Sequence, residues 1–296
     1  MCGVGTLTQW NHGAVVVAGV AIAACTTTPA SQPRIETLTL ASKDAQLAAT
    51  LHLPSGNGPF PAAVLMHGSG RITGAQMAAN NAGPLLSMGL AVLAYDKRGV
   101  GGSTGEYTSI GPANSERMFD LLAADALAGV EALSRRRDID GKRIGLFGVS
   151  QAGWIAPLAA SQSDRVAFVV LLSGPAVTVG EEIAYSRVAG EDPGSIQGLT
   201  EAEIEREYKA FKGPHGFNPA GALAAMRAQS LWILGERDRS LPIQQTIANL
   251  ERLTQAGRPI WIHVLPGANH SLRSRTGERP DFWRVIGAWL EERGLI

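Results

Sequence analysis

Six short apolar segments, separated by helix-like stretches, constrain the fold of this chain more than any other feature. The segments are 62–68, 90–96, 143–149, 166–174, 230–236 and 259–267. They are apolar on both faces, which is typical of parallel strands covered by helices on both sides of a sheet. The helical patterns between them are clearest at 114–136, 243–256 and 280–293. Strands that alternate with helices imply right-handed βαβ crossovers, so the sequence predicts an α/β fold with a mostly parallel, doubly wound sheet.

Two parts of the chain depart from this alternation. Near the start, 35–42 and 45–54 flank a short turn at Lys43 and Asp44, which predicts an N-terminal antiparallel hairpin. Later, the stretch 178–229 lies between two predicted strands and has no strand pattern of its own, while 199–211 within it is helical and strongly charged. An insertion at this point sits over the carboxyl ends of the strands, where ligands bind in such sheets. We therefore expect a small helical lid.

The N-terminal segment differs in composition from the rest of the chain. No charged residue precedes Arg34, and 13–24 form an uninterrupted apolar run. The run is shorter than the roughly 20 residues that span a bilayer, but it fits the apolar part of a secretory signal peptide. It ends in Ile-Ala-Ala-Cys25, which resembles the lipobox of bacterial lipoproteins, in which the cysteine thiol is acylated.

We therefore expect a signal peptide over 1–24, a linker over 25–34 and a catalytic domain over 35–296. Export to the periplasm or cell envelope follows, with a lipid on Cys25 as the membrane anchor. The alternative is a buried apolar segment that happens to end in cysteine. The absence of Lys and Arg before the apolar run favours this alternative, because signal peptides usually begin with positive charge.

The balance of charge limits the partners of the chain. Lys and Arg number 26 and Asp and Glu number 26, so the formal net charge is zero. Nucleic-acid binding needs clustered Lys and Arg, so we expect no nucleic-acid partner. Two cysteines exclude a disulfide scaffold and a Cys-rich zinc site, and the histidines lack a compact metal-ligand spacing. The sequence therefore implies neither a metal nor another cofactor.

A candidate nucleophile follows the third apolar segment. Gly148-Val149-Ser150-Gln151-Ala152 is close to the G-x-S-x-G nucleophile elbow, in which a sharp turn from strand to helix raises the serine hydroxyl above the sheet. The turn needs small residues on both sides, and Ala152 is a small substitute for the second glycine. The N–H of Gln151 would lie at a helix N-terminus, where it can face a developing oxyanion. The alternative is an ordinary strand-to-helix turn with a capping serine.

A serine nucleophile needs a base, and the base needs an orienting carboxylate. Asp238 follows the segment 230–236, and His270 follows the last apolar segment. The order Ser, Asp, His, with each residue at the carboxyl end of a predicted strand, is the order of α/β-hydrolases. Those strand ends meet at one edge of a parallel sheet, so we expect the three side chains to lie close together. Glu236 is an alternative carboxylate, but it leaves its strand earlier, and we prefer Asp238.

Two glycine-containing loops follow the first two apolar segments. His67-Gly68-Ser69-Gly70 is the place where hydrolases of this fold supply the second oxyanion donor, here the backbone N–H of Ser69. We interpret His67 as a structural histidine that braces the loop. The second loop, 95–103, lacks the glycine spacing of a nucleotide-binding loop, so we expect a structural turn with a local pair between Asp96 and Arg98.

The motifs HGSG, YDKRGVGGS, GVSQAGW, GERDRSLP and PGANHSL together resemble those of bacterial serine hydrolases of the α/β-hydrolase superfamily. The nearest groups are the dienelactone-hydrolase-like and serine-aminopeptidase-like esterases. The resemblance covers nearly all of the chain from Ile35 and implies Ser150 as nucleophile, His270 as general base and acid, and Asp238 as its orienting partner. Dienelactone hydrolases proper use cysteine, so the serine favours an esterase.

The resemblance implies hydrolysis of carboxylic esters with small or medium acyl groups through an acyl-enzyme. The substrate would be a small-molecule ester, and the N–H groups of Ser69 and Gln151 would hold the oxyanion. A peptidase or a thioesterase with the same triad is an alternative, since the chemistry is shared. A non-catalytic surface lipoprotein of the same fold is another, although the complete set of triad residues argues against it.

Overall fold

The computed structural model describes residues 34–190, 194–196 and 198–296. Its strands are β1 (Arg34–Ser42), β2 (Ala45–Leu53), β3 (Phe60–Met66), β4 (Ala91–Tyr95), β5 (Ile139–Val149), β6 (Phe168–Leu172), β7 (Gln229–Gly235) and β8 (Ile260–Leu265). Its helices are α1 (Gly74–Ser87), α2 (Ser115–Ser134), α3 (Ala152–Ser161), α4 (Val179–Ala189), α5 (Glu201–Lys209), α6 (Ala220–Ala225), α7 (Ile243–Gln255) and α8 (Phe282–Glu291). The predicted signal peptide and Cys25, the predicted site of lipidation, lie outside the described residues.

The strands form one sheet in the order β1-β2-β4-β3-β5-β6-β7-β8. All six apolar segments of the sequence are strands of its parallel part, which runs from β4 to β8. The predicted hairpin is present: β1 and β2 are antiparallel, with Ser42 opposite Ala45, and β2 joins the sheet antiparallel to β4. The expected fold, a mostly parallel doubly wound sheet with an N-terminal hairpin, is therefore confirmed.

The apolar core has two layers, one on each face of the sheet. Successive side chains of a strand point to opposite faces, so Val64 of β3 packs into one layer and Leu65 into the other. Helices α2, α3 and α7 cover the first face through buried residues such as Phe119, Trp154 and Leu250. Helices α1 and α8 cover the second face through Leu85 and Ile286. This double cover explains why the strands are apolar on both faces.

Three helices occupy the predicted insertion, and its described residues before Gln229, where β7 begins, contain no strand. They are α4, α5 and α6, and the charged pattern at 199–211 corresponds to α5. Capping boxes begin α4 at Thr178 and α5 at Thr200. Among the described residues, no helix is long and apolar enough to cross a membrane.

The loop after β4 corrects one expectation. Arg98 does not pair with Asp96. Its guanidinium donates hydrogen bonds of 2.8 Å to both carboxylate oxygens of Asp125 in α2, and one of 2.9 Å to Asp44 in the hairpin turn. The Asp96 carboxylate instead accepts from two backbone N–H groups. Both partners of Arg98 are distant in sequence, so local spacing could not indicate them.

The Arg98–Asp125 pair is fully buried, with both side chains at 0% exposure. Replacing Asp125 by alanine is expected to destabilise the protein by about 3 kcal/mol or more, because it leaves a buried guanidinium without its main partner. Urea unfolding would measure the change. The matched control is Glu131→Ala on the same helix, which removes exposed pairs with Arg135 and Arg165 and should cost about 1 kcal/mol or less. Equal unfolding midpoints for the two variants would contradict the prediction.

Candidate active site

Ser150 occupies a sharp turn between β5 and α3. Its backbone is left-handed, with φ of 49°, an uncommon conformation for a residue other than glycine. A Cβ on Gly148 would collide with the Cβ of Ala152, and a Cβ on Gly153 would lie 2.6 Å from the backbone nitrogen of Pro175. Close approaches therefore demand glycine at residues 148 and 153. Alanine is tolerated at residue 152, as the sequence predicts, because glycine at residue 148 leaves room for its Cβ.

The structure brings together Ser150, His270 and Asp238. The Nε2 atom of His270 lies 3.0 Å from the Oγ of Ser150, and its Nδ1 lies 2.7 Å from Oδ2 of Asp238. The other carboxylate oxygen of Asp238 accepts from the backbone N–H groups of Ser240 and Leu241, at 2.8 and 3.0 Å. The Asp238 side chain is fully buried. Three residues far apart in sequence therefore form one continuous line of contacts.

Glu236 takes a different role from Asp238. Its Oε2 accepts a hydrogen bond of 2.7 Å from the N–H of Gly267, in the loop that leads to His270. It therefore braces the loop, while the Asp238 carboxylate faces the imidazole. The carboxylate that the sequence favours is the one in contact with His270.

This arrangement is able to activate a serine hydroxyl. A buried carboxylate at Nδ1 favours the tautomer with the proton on Nδ1, which leaves Nε2 as the acceptor facing the hydroxyl of Ser150. The same carboxylate stabilises the imidazolium that forms when Nε2 takes the serine proton. The site thus has the geometry required for nucleophilic catalysis.

The two predicted oxyanion donors line one cleft. Ser69 and Gln151 both border a cleft of about 290 Å³, together with Tyr107 and neighbouring loop residues. The loop of Ser69 passes beside the nucleophile, since a Cβ on Gly68 would lie 3.6 Å from the Cβ of Ser150. Gln151 opens the helix α3, as expected from the turn. Their use as oxyanion donors stays a prediction.

His67 has the bracing position that the sequence suggests. Its Nε2 contacts the carbonyl oxygen of Tyr95 at 2.7 Å, and its ring packs edge-on against the ring of Tyr95 at 4.7 Å. Burial lowers the pKa of His67 to about 3, so the ring is neutral and Nε2 donates to the carbonyl. The contact ties the end of β3 to the end of β4.

The lid brings a further acidic side chain, Glu182 of α4, towards the site. Burial raises the pKa of Glu182 to about 7, and the charges of His270 and Asp238 act on it in opposite directions. Asp238 also borders a cleft that contains Tyr185 of α4 and Tyr208 of α5. Sequence reasoning does not predict α4 and therefore misses Glu182, although the capping box of Thr178 and Glu181 marks the start of that helix.

Glu182 makes stability depend on pH in a defined direction. Its pKa in the folded protein is about 7, above the ordinary 4.5, so the folded state retains a proton that the unfolded state releases. The contribution of this group to stability therefore declines as pH rises from about 4.5 to about 7. We expect Glu182→Gln to raise the melting temperature at pH 8 by about 2–4 °C relative to the wild type, and by less at pH 5.

Thermal unfolding of both proteins at the two pH values tests this expectation. The control is Glu205→Gln on α5, where the carboxylate is exposed and pairs with Lys209, so its effect on the melting temperature should be small at both pH values. An equal rise in the melting temperature of Glu182→Gln at pH 5 and pH 8 would show that the titration of Glu182 does not cause the rise.

The fold and the site place the chain among the hydrolases of the α/β-hydrolase superfamily, and comparisons with known proteins define its family. The profile of the prolyl oligopeptidase family, Peptidase_S9, matches residues 76–293, which is more than half of the chain. The chain therefore belongs to the prolyl oligopeptidase family. This confirms the resemblance to serine hydrolases of the α/β-hydrolase superfamily that the motifs indicate.

The individual relatives include one protein named as an esterase. Esterase EstD of Thermotoga maritima is 25% identical over 244 residues, which cover 75% of this chain and 54% of EstD. An uncharacterized 31.7 kDa protein of Escherichia coli is 31% identical over 124 residues, which cover 42% of this chain and 41% of the relative. The chain thus spans about half the length of these curated relatives, or less.

A solved structure supports the fold independently. The Pyrococcus furiosus esterase Pf2001 superposes with a TM-score of 0.63 at 19% identity, over 88% of this chain and 91% of the other. At that identity the likeness concerns the fold alone. It confirms that the eight-stranded sheet described above is that of an α/β-hydrolase.

Proposed function

We propose that this protein hydrolyses carboxylic esters of small or medium acyl groups, with Ser150 as the nucleophile. The observation that carries the proposal is the continuous contact from Ser150 Oγ to His270 Nε2 at 3.0 Å and from His270 Nδ1 to Asp238 at 2.7 Å. Membership of a serine hydrolase family supports the same class of reaction. The substrate is a small-molecule ester, and water is the second reactant.

The reaction has two halves. His270 takes the proton of Ser150 as the hydroxyl oxygen attacks the ester carbonyl, and the backbone N–H groups of Ser69 and Gln151 hold the oxyanion. The imidazolium, stabilised by Asp238, then gives its proton to the leaving alcohol, and an acyl-enzyme remains. His270 next takes a proton from water, the hydroxide attacks the acyl carbon, and return of the proton to Ser150 releases the acid.

Hydrolysis of an amide is the second candidate, because the family takes its name from peptidases. Hydrolysis of a thioester needs the same triad and the same oxyanion hole. We favour the ester because Esterase EstD aligns over 75% of this chain and bears that activity in its name. The connected triad supports an enzyme over a non-catalytic protein of the same fold.

Four substrates with different leaving groups, three of which share one acyl group, test this proposal. Butyrate would be offered as a p-nitrophenyl ester, an ethyl ester and a thioester, beside a dipeptidyl p-nitroanilide. We expect turnover of both esters, with kcat/KM higher for the ethyl ester than for the thioester or the anilide. A preference for the anilide or the thioester would favour the corresponding alternative. No turnover of any substrate would overturn the assignment as a hydrolase.

We also propose that 1–24 direct export and that Cys25 carries a lipid anchor in the cell envelope. The support is compositional, since the sequence before Arg34 is uncharged and its apolar run ends at a lipobox-like cysteine. Mass spectrometry of the protein expressed in a bacterial host with lipoprotein processing tests both points. An N-terminus at an acylated Cys25 is the expected result, and an intact Met1 would contradict it.

A further inference from the structure

A buried lysine lies beneath the loop that carries Ser69. Lys97, just after β4, has a side chain that is 1% exposed. Its Nζ donates hydrogen bonds to the carbonyl oxygens of Gly68 and Gly70, at 2.6 and 2.7 Å. One ammonium group thus holds the carbonyls on either side of Ser69.

Tyr107, which lies with Lys97 in the connection between β4 and α2, also contacts this segment. The Nζ of Lys97 lies 4.4 Å from the centroid of the Tyr107 ring, within range of a cation–π interaction. The hydroxyl of Tyr107 accepts a hydrogen bond of 3.2 Å from the N–H of Gly70. The segment 68–70 is therefore held at three groups, which are the carbonyl oxygen of Gly68, the carbonyl oxygen of Gly70 and the N–H of Gly70.

The geometry of the peptide bond connects this contact to the reaction. The carbonyl of Gly68 and the N–H of Ser69 belong to one planar, trans peptide group, in which C=O and N–H point in opposite directions. A donor that holds the Gly68 oxygen on the buried side therefore sets the direction of the Ser69 N–H on the other side. That same peptide lies beside the nucleophile, since a Cβ on Gly68 would be 3.6 Å from the Cβ of Ser150.

We propose that Lys97 is a positioning residue for oxyanion stabilisation: it clamps 68–70 so that the Ser69 N–H faces the oxyanion formed at Ser150. The inference rests on the proposed hydrolase function and adds a residue to it. A hydrogen-bond donor on the carbonyl also polarises the peptide group, so that its N–H becomes a stronger donor.

The choice of lysine here is costly for folding, which supports a role in function. Burial lowers the pKa of Lys97 to about 7, so the protein environment disfavours the charged form. An apolar side chain of the same length would fill the space without that cost. The lysine instead supplies two hydrogen bonds to the loop that flanks the nucleophile.

Lys97→Met tests the proposal because methionine keeps an unbranched apolar side chain and removes the donor. We expect kcat for the p-nitrophenyl ester to fall by about 10- to 100-fold, with KM within about threefold, since a misdirected donor is lost mainly in the transition state. An alkyl boronic acid, which forms a tetrahedral adduct on the nucleophilic serine, should lose affinity by a similar factor. The control is Lys142→Met, which removes an exposed lysine and should change neither value.

Measuring the affinity for the boronic acid separates positioning from general stability. If Lys97→Met only reduced the folded fraction, the remaining folded molecules would bind the inhibitor with the wild-type Kd. That result, or an unchanged kcat in a folded variant, would overturn the role of Lys97 and leave the proposed function standing. A wild type that neither cleaves the ester nor binds the boronic acid would overturn both.

Tyr107→Phe provides a second variant if Lys97→Met does not fold. It keeps the ring over Lys97 and removes only the hydrogen bond from the N–H of Gly70. We expect kcat and the affinity for the boronic acid both to fall by about 3- to 10-fold, less than in Lys97→Met, because this variant loses one hydrogen bond between neutral groups. No loss in either would overturn the clamp.

Discussion

Ser150→Ala is expected to lower kcat for ester hydrolysis by about 10⁵- to 10⁶-fold while leaving the protein folded. The hydroxyl of Ser150 is the atom that faces the imidazole of His270, and without it no acyl-enzyme can form. The proposed oxyanion donors, the N–H groups of Ser69 and Gln151, and the binding contacts should retain a small rate above that of water. Steady-state kinetics, together with thermal unfolding to confirm the fold, measure the effect.

Ser173→Ala is the matched control for this variant. Ser173 follows β6 and has the same left-handed backbone as Ser150, with φ of 50° against 49°. Its hydroxyl donates a hydrogen bond of 2.8 Å to the carbonyl of His270, so its loss should reduce kcat by about tenfold at most. Similar losses for the two variants would show that the geometry of the strand ends matters and that Ser150 is not the nucleophile.

Asp238→Asn has the second largest expected effect, a fall in kcat of about 10⁴-fold. An amide at this position can donate to Nδ1, which favours the tautomer with the proton on Nε2, and that tautomer cannot accept the proton of Ser150. The amide also fails to stabilise the imidazolium. KM should change much less than kcat, because the Asp238 side chain is fully buried behind His270.

Glu236→Gln discriminates between the two candidate carboxylates. Glu236 accepts a hydrogen bond from the N–H of Gly267, and the amide oxygen of glutamine is able to accept the same bond. We expect kcat to stay within a few-fold of the wild type. A large loss of kcat in Glu236→Gln, with a small loss of kcat in Asp238→Asn, would show that Glu236 and not Asp238 is the carboxylate that orients His270.

The parts of the fold that the sequence predicted share a physical cause. A parallel strand covered on both faces must be apolar throughout, so the sequence indicates where the strands lie. The carboxyl end of each strand must turn within a few residues, so the sequence also indicates the positions of Ser150, Asp238 and His270. The imperfect elbow motif is explained by the structure, since glycine at residue 148 leaves room for the Cβ of Ala152.

The parts that the sequence did not predict depend on contacts between distant residues or on local signals that conflict. Helix α1 contains Gly83 and Pro84, which usually interrupt helices, and its capping box at Thr73 was not recognised. Arg98 finds its main partner in α2, 27 residues away, although Asp96 is nearer in sequence. Glu182 lies close enough to His270 and Asp238 for their charges to act on its pKa, although both are distant in sequence, and no periodicity in the sequence reveals this approach.

Covalent labelling with a fluorophosphonate, followed by mass spectrometry of the peptides, tests most directly whether Ser150 is an activated nucleophile. Such probes react with a serine whose hydroxyl is activated by a neighbouring base. We predict one phosphonyl group per chain, on the peptide that contains Ser150, and no labelling of Ser150→Ala under the same conditions. Labelling at another serine, or a folded wild type that is not labelled at all, would contradict the proposed site.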